Sequence, residues 1–532
     1  MVPLILPLLP LLALVPTAVP AESAMSAPAI EAWPQAGAED PSEELDRITD
    51  GVLQATEAGD DAAARAGATE LLALLDGEMA PALAVDDPEV VAAYHALRGW
   101  AMWVLGRIEE ADREFALIEP GEARASGYLD FRHDFALDQE DWPKLLEILE
   151  ADVSAGGDPE TMIVNHYSID DLEGLRYFLD YSDETNGRVA EMLLTANWGA
   201  DRPPGDRDWI YSFAFARRVA AGDEAGARDV LGRMQAPDYL AELLINPAYA
   251  EYHGEIETRH GADLGESAER LRAALEAMWD ARRGEARYLL DYMIALRALG
   301  RHQEIADRFT PLVDAAQAAM AAGDSENFLL NADGFFVVDY LAEAEMYLGR
   351  SDAAEARMNG LLALGFEGHP ALINQGINGL DLYFQEGRYD EALARARALD
   401  ALDDAVASPY GRMFIWGAAA CAAHLQGEAD EAARWRARLT EDPTVNAPDV
   451  FDTLLCLDDP DAAAAFAIEM LAGEDPITLL MTFQDLRLWR PIGAYDALLR
   501  ERRDAVLARP DLRRAIDAAG GIHSFALAEF GG

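Results

Sequence analysis

The chain has 532 residues and 51% of them are hydrophobic, so it can bury a large core and is not globally disordered. Its 97 acidic residues outnumber its 42 basic residues, which gives a formal net charge of −55. This charge repels the phosphates of nucleic acids and of anionic membranes, so neither is expected as a partner.

An apolar run, Leu4–Val15, opens the chain and is interrupted by two prolines. It is shorter than the about 20 residues that a membrane-spanning helix needs. Small residues follow, and Val-Pro-Ala at 19–21 suits signal-peptide cleavage, although no basic residue lies within or before the run. We expect residues 1–21 to be a signal peptide and the protein to be periplasmic or secreted. N-terminal sequencing of the protein from its host should find a start near Glu22.

Residues 22–43 are rich in Pro, Ala and Ser and predict a flexible linker. From residue 44 to residue 445 one pattern recurs: an apolar helix end, a glycine, and a second helix with a small or apolar residue five positions after the glycine. The clearest copies centre on Gly106, Gly300, Gly349, Gly387 and Gly427. The last four are 49, 38 and 40 residues apart (349−300, 387−349, 427−387), and weaker copies centre on Gly59 and Gly222. This recurrence predicts stacked helical hairpins.

The stretch around Gly387 illustrates the prediction. A glycine with positive φ ends a helix easily, so Gly387 is expected to end the first helix of its hairpin. Tyr389 then begins the second helix, and Ala392 is small because the two helices approach closely there. One hairpin cannot bury both apolar stripes alone, so its neighbours must stack on it.

This pattern resembles the tetratricopeptide repeat family. The residues that carry the resemblance are Ala111-x-x-x-Phe115 with Gly99 and Gly106 upstream, and Tyr383, Tyr389 and Ala392 around Gly387. The spacing of 38 to 49 residues is longer than the family's 34. The resemblance implies an all-α fold, an α-solenoid in which stacked hairpins form a right-handed superhelix.

After residue 445 the repeat signal fades, and residues 446–532 are expected to form a helical segment that caps the solenoid. The chain's two cysteines are Cys421 and Cys456, 35 residues apart. Equivalent positions on stacked helices point in parallel and rarely come within the about 7 Å between Cα atoms that a disulfide needs. Both cysteines also lie in apolar surroundings. We therefore expect two buried, unpaired thiols.

Motifs for nucleotide, metal or nucleophile chemistry are absent from the sequence: there is no Walker-type loop, HExxH, CxxC or GxSxG. His253 and His260 are seven residues apart, too far along a helix to share one zinc ion. The pair Asp339 and Glu343 suits acid–base chemistry, but such pairs are frequent in so acidic a chain. No catalytic residue, metal or cofactor is expected.

In a solenoid of this kind the first helix of each hairpin lines the concave face, which the resemblance identifies as the partner-binding surface. Seven residues are candidates for this surface: Tyr340, Glu343, Tyr347, Asn374, Asn378, Asp381 and Gln385. No basic residue is recognised among them, so a basic or apolar peptide, or a glycan, fits better than an acidic ligand.

These observations predict an exported, non-catalytic scaffold that binds a protein or peptide through its concave face. The alternative is an all-helical toroid that acts on polysaccharide with its acidic residues. A sensor ectodomain is a third hypothesis. An open superhelix favours the scaffold, whereas a closed ring with an acidic centre favours the enzyme.

Overall fold

A computed structural model of the chain describes residues 41–77, 79–80, 88–118, 135–136, 139, 142–154, 183–195, 197–199, 202–322, 327–402, 406–473 and 475–530. The predicted signal peptide and residues 22–40 of the predicted linker lie outside this part of the chain. The described residues are almost entirely helical, so the all-α prediction is confirmed, and the fold is an α-solenoid of helical hairpins. In the described residues, no helix is both long enough and apolar enough to cross a membrane.

The chain divides into two compact units. The N-terminal unit comprises the described residues of 41–199 together with 213–230, and the C-terminal unit comprises 202–212 and 231–530. Helices up to residue 231 are α1 (Pro41–Glu57), α2 (Asp61–Asp76), α3 (Pro88–Val104), α4 (Ile108–Phe115), α5 (Trp142–Ser154), α6 (Asp183–Thr195), α7 (Asp208–Ala220) and α8 (Glu224–Leu231). The division between the units falls within α7.

The C-terminal unit continues with further hairpins. Its helices are α9 (Pro237–Ile245), α10 (Ala250–His260), α11 (Gly265–Ala281), α12 (Ala286–Ala298), α13 (His302–Ala321), α14 (Ala332–Tyr347), α15 (Ser351–Leu362), α16 (Ile373–Asn378), α17 (Leu380–Gln385), α18 (Tyr389–Asp400), α19 (Pro409–Leu425), α20 (Ala429–Leu439), α21 (Ala447–Cys456), α22 (Pro460–Leu471), α23 (Pro476–Thr482), α24 (Ala494–Leu507) and α25 (Pro510–Ala519). Short 3-10 helices lie at Pro247–Tyr249 and Pro370–Leu372. Two short strands, β1 (Asp485–Leu486) and β2 (Ser524–Phe525), pair in parallel.

The hairpin turns share one hydrogen-bond pattern, which confirms the role predicted for the glycines. At Gly387, φ is 71°, and the next residue, Arg388, donates its N–H to the Tyr383 carbonyl at 2.8 Å. This six-to-one bond is that of the Schellman motif. The other predicted turn glycines also have positive φ; they are Gly59, Gly106, Gly222, Gly300, Gly349 and Gly427.

One further turn has the same geometry without a glycine. Asp458, between α21 and α22, has φ 57°, and the next residue donates its N–H to the Leu454 carbonyl at 3.1 Å. Aspartate is among the few residues other than glycine that tolerate this conformation. The repeat therefore extends to residue 471, beyond the last glycine turn that the spacing revealed.

Replacing Gly387 tests the turn. Gly387→Val is expected to lower the free energy of unfolding by about 1 kcal/mol or more, because a β-branched residue is strained at positive φ. A Cβ at this position meets no atom within 4 Å, so the cost comes from the backbone and not from a clash. Thermal melts of Gly387→Val and Gly387→Ala measure it, and a stabilising Gly387→Ala would contradict the assignment.

The small residue predicted at the close approach in the Gly387 hairpin, Ala392, is buried as expected. Ala392 and Ala111 are fully buried. In the N-terminal unit, a Cβ at Gly99 would lie 2.8 Å from the ring of Phe115, so glycine makes room for this aromatic side chain. Gly99 and Phe115, two of the residues that carried the family resemblance, thus lie at the contact between paired helices.

The prediction of two unpaired thiols is wrong, because the structure joins Cys421 and Cys456 in a disulfide with the Cα atoms 5.7 Å apart. The prediction failed because it assumed that the two cysteines lie at equivalent distances from their turn residues. Cys421 precedes its turn glycine by six residues (427−421), whereas Cys456 precedes Asp458 by only two (458−456). The two cysteines therefore do not occupy equivalent positions, and the offset of about one helical turn brings them together.

Arginine–carboxylate pairs connect the hairpins of the C-terminal unit. Each joins residues of different hairpins at hydrogen-bond distance, and arginine suits this role because its planar fork matches a carboxylate. Examples are Arg357–Asp314 at 2.8 Å, Arg388–Glu355 at 2.8 Å and Arg436–Asp459 at 2.9 Å.

The C-terminal unit closes on itself. Helix α9, near its start, packs against α23, near its end. The segment of residues 520–530, called the closing segment here, completes the contact: the Ala526 N–H donates to the Asp263 carbonyl at 2.8 Å and the Ala528 N–H to the Ala298 carbonyl at 2.7 Å. Residues from the two ends of the unit are therefore joined by main-chain hydrogen bonds.

Candidate functional site

The first helices of consecutive hairpins form the inner layer of the C-terminal unit. Helices α12, α14, α16–α17, α19 and α21 pack on one another in this order. In the hairpins of Gly349 and Gly387, polar side chains recur at nine, six and two residues before the turn residue. Counting back from Gly349 (349−9, 349−6, 349−2) gives Tyr340, Glu343 and Tyr347, and from Gly387 in the same way Asn378, Asp381 and Gln385. The surface that these positions form is called the inner face here.

Arg297, on α12, is the central cation of this face. Its Nη2 lies 2.7 Å from Oε2 of Glu343, and its Nε lies 3.1 Å from Oε1 of Glu529 in the closing segment. The guanidinium also stacks on the ring of Tyr340 at 3.8 Å from the centroid, a cation–π geometry. Only 5% of the Arg297 side chain is exposed, so its charge is neutralised within the fold.

The electrostatics of this cluster follow from its burial. Burial opposes the charge on Arg297, but Glu343 and Glu529 outweigh it and raise the pKa of the guanidinium further. Burial raises the pKa of the Glu529 carboxyl, an effect that Arg297 opposes. Removing Arg297 would leave the carboxylates of Glu343 and Glu529 without a cation. Removing both carboxylates would leave the buried Arg297 guanidinium without an anion.

Two further candidate residues are also engaged. Asn378 donates to Oδ2 of Asp339 at 2.5 Å, and Gln385 donates to Oδ1 of Asp496, on α24, at 2.6 Å. Asp339 and Glu343 thus have different partners, which favours a structural role for this pair. Burial raises the pKa of Asp339 to about 7 against the opposing effect of Asn378.

Tyr347 stacks on His302 with their ring centroids 3.7 Å apart. Burial, together with the charge of Arg297, lowers the pKa of His302 to about 4. The imidazole is therefore neutral near pH 7. This stack extends the Arg297 cluster toward the start of α13.

The inner face continues into the next hairpin, where the turn residue is Asp458. Counting back nine and six residues from it (458−9, 458−6) gives Asp449 and Asp452, both on α21 and both buried. Asp452 pairs with Arg503 of α24 at 2.6 Å. Tyr495, also on α24, lies with its hydroxyl 3.1 Å from Sγ of Cys421, so the disulfide borders the same region.

The structure places Tyr340, Glu343, Asp381 and Gln385 on the inner face. Asn378 lies beside them and donates a hydrogen bond to Asp339. Asn374 is buried at 7% exposure. None of the seven candidates is fully exposed. The inference that the face has no basic residue is wrong, because Arg297 lies at its centre. Sequence reasoning also missed Asp449, Asp452 and Glu529, although the spacing to Asp458 could have revealed the first two.

No arrangement of three or more His, Cys, Asp or Glu side chains within the described ranges could hold a metal ion. Neither a comparison with protein-family models nor a comparison with curated proteins finds a match. Among solved structures, the chain matches a protein described as a circular tandem repeat protein with novel repeat topology and enhanced subunit contact surfaces. The identity is 15%, the match covers 90% of this chain and 97% of the other, and the TM-score is 0.14.

Proposed function

We propose that the chain is an exported, non-catalytic scaffold of the tetratricopeptide-like class, which binds a protein or peptide through the inner face of its C-terminal unit. One observation carries this proposal: the C-terminal unit already holds an extended stretch of polypeptide, the closing segment. Main-chain hydrogen bonds and the Arg297–Glu529 ion pair hold it in place.

The way in which the closing segment is held resembles peptide recognition in general. Leu488 donates its N–H to the Leu527 carbonyl at 2.9 Å, while Phe525 and Leu527 are fully buried. Main-chain bonds of this kind give affinity, and side-chain pockets give selectivity. A fold that binds one extended segment in this way is suited to binding another along the neighbouring first helices.

Two further observations support the tetratricopeptide-like class and the export of the protein. The glycine turns with small residues five positions later suit tetratricopeptide-like hairpins, although their spacing is longer. The disulfide between Cys421 and Cys456 suits an oxidising compartment, as an exported protein would meet.

Four carboxylates on or beside the inner face are paired, which supports a non-catalytic role. Glu343 and Glu529 share Arg297, Asp452 pairs with Arg503, and Asp496 accepts from Gln385. A general acid or base needs a carboxyl that can reach its substrate, and these are engaged within the fold.

Photocrosslinking tests the proposal. Tyr347, on the inner face, is replaced with p-benzoylphenylalanine in the full chain, and Tyr389, on the second helix of the Gly387 hairpin, is replaced in the same way as a matched control. Irradiation in a native envelope extract is expected to give a polypeptide adduct at position 347 and not at 389. Equal adducts at both positions, or none at 347, would contradict binding at the inner face.

A second candidate is the polysaccharide-acting toroid, which one observation favours. The C-terminal unit closes on itself, and carboxylates lie on its inner helices. Release of reducing ends from a panel of polysaccharides, abolished by Asp381→Asn, would establish the enzyme and overturn the non-catalytic proposal.

A further inference from the structure

The closing segment lies in a groove that bonds its main chain on both sides. On one side, three carbonyls of the segment accept N–H groups of residues 485–488 at 2.9 to 3.0 Å. On the other side, the N–H groups of Ala526 and Ala528 donate to the carbonyls of Asp263 and Ala298 at 2.8 and 2.7 Å. All of these groups belong to the C-terminal unit. The groove is therefore a complete binding site for one extended strand.

The groove also limits the size of two side chains. A Cβ at Gly265 would lie 2.9 Å from Cβ of Ala526, and a Cβ at Gly300 would lie 3.4 Å from Cβ of Ala528. Glycines in the groove thus make room for alanines in the segment. Because protein interiors are closely packed, this approach leaves little space for a larger side chain at either alanine.

The other side chains of the segment are apolar, with one exception. Phe525, Leu527 and Phe530 are at most 3% exposed. Glu529 is also buried, and it pairs with Arg297 at 3.1 Å. From residue 525 to residue 530 the groove therefore accepts an apolar, a small, an apolar, a small, an acidic and an aromatic residue in turn.

A second copy of the chain carries the one sequence that this groove is seen to fit. The closing segment of that copy would form the same hydrogen bonds, the same ion pair and the same apolar contacts. Exchange of the segment between two copies therefore loses no contact in either groove. The free energy of exchange is then set by the cost of association and by the link between each segment and α25.

Two glycines form this link, directly after α25. Gly520 and Gly521 have φ of 145° and 88°, which glycine adopts more readily than other residues. Gly520 is held in place, since a Cβ there would overlap the carbonyl oxygen of Ile245. A Cβ at Gly521 would meet no atom within 4 Å. Gly521 is therefore the position at which the segment can turn away from α25 without a clash.

We propose that two copies of the chain associate by exchanging their closing segments, so that the segment of each copy lies in the groove of the other. Each chain opens at Gly521, and the contacts in the two grooves are those described above. Reciprocal exchange closes the assembly at two copies. The proposal goes beyond the proposed function, because the partner is the chain itself.

The charge of the chain determines the conditions under which exchange is measured. Each copy has a formal net charge of −55, so two copies repel each other. Salt screens this repulsion, because the Debye length falls from about 10 Å at 0.1 M to about 3 Å at 1 M. The dimer fraction is expected to rise with protein concentration and with ionic strength. Size-exclusion chromatography with light scattering measures it on the full chain.

Cysteine crosslinking tests the exchange directly, because the Cβ positions of residues 300 and 528 are close enough for a disulfide. A chain with Gly300→Cys is mixed at high salt with a chain with Ala528→Cys, and the mixture is mildly oxidised. We expect a covalent dimer in which peptide mapping finds a bond between positions 300 and 528. In the matched control, Asp352→Cys, at an exposed position on α15, replaces Gly300→Cys. At least tenfold less covalent dimer is expected there.

A chain that carries both Gly300→Cys and Ala528→Cys controls for the geometry, and it is expected to form the same bond. If this double variant forms the bond but the mixture stays monomeric, exchange is overturned. If the double variant forms no bond, the segment does not lie in the groove as described, which also overturns the proposal. Equal amounts of dimer with Asp352→Cys would show random collision instead of exchange.

Gly521→Ala tests the hinge. Alanine is strained at φ 88°, and opening at this residue releases the strain in both chains. The dimerisation constant is therefore expected to rise by about fivefold or more. The matched control is Gly284→Ala: Gly284 has φ 103° and also no atom within 4 Å of its Cβ position, but it lies between α11 and α12. A constant that is unchanged in Gly521→Ala, or raised equally in Gly284→Ala, would contradict opening at this hinge.

Discussion

Replacing Arg297 with methionine is expected to lower the free energy of unfolding by about 3–5 kcal/mol. Methionine fills a similar volume, but it leaves the partly buried carboxylate of Glu343 and the buried carboxylate of Glu529 without a cation. It also removes the guanidinium from the ring of Tyr340. Urea unfolding at pH 7 measures the change in the free energy of unfolding. The dependence of this free energy on urea concentration, the m value, should be the same in both proteins.

A matched arginine four residues further along provides the control. Arg301 pairs with Glu269 and Glu304, but 36% of its side chain is exposed. Exposed ion pairs contribute at most about 1 kcal/mol, so Arg301→Met is expected to have a small effect. Adding Glu343→Gln and Glu529→Gln to Arg297→Met should recover part of the loss. If Arg297→Met and Arg301→Met lowered the free energy of unfolding equally, the central role of Arg297 would be contradicted.

Removing the disulfide is expected to lower the free energy of unfolding by about 4 kcal/mol, since the bridge closes a loop of 35 residues in the unfolded chain. Unfolding of the oxidised protein is compared with that of the Cys421→Ala/Cys456→Ala variant. Reductant should destabilise the wild-type chain and leave this variant unchanged, which controls for other effects of the reductant.

Thiol titration gives a direct check on the same bridge. The denatured, unreduced protein is expected to show no free thiol, and the chain should run as a monomer on a non-reducing gel. Two free thiols per chain would show that the disulfide does not form in the protein.

Much of the hairpin architecture could be predicted because its signals are local. A glycine at positive φ, a small residue five positions later and an apolar stripe all lie within one hairpin. Gly387, Tyr389 and Ala392 each have the predicted role. The positions of the inner-face candidates could be predicted for the same reason, since they are counted from the turn.

The contents of the inner face were harder to predict, because its partners are distant in sequence. Arg297 and Glu529 are 232 residues apart, and no local pattern links them. Asp449 and Asp452 are not predicted by the glycine spacing, because Asp458 takes the place of glycine in their turn. The disulfide could not be predicted for the same reason. The offset of one helical turn between Cys421 and Cys456 is found only when Asp458 is known to be the turn residue.

The short strand pair was not predicted, and its sequence explains why. Asp485–Leu486 and Ser524–Phe525 are two residues each, too short for an alternating pattern. They pair because the helices around them bring the two segments together. The strand pair is thus a result of tertiary structure and not of local preference.

The position of the closing segment has a consequence for the order of events during synthesis. Asp263 and Ala298 leave the ribosome more than 200 residues before Ala526 and Ala528, the residues that bond to them. Until then the apolar surface that Phe525 and Leu527 cover stays open to water. Such late, long-range contacts slow folding and leave the nascent chain prone to aggregation, so we expect this half of the protein to need a chaperone until translation has passed residue 530.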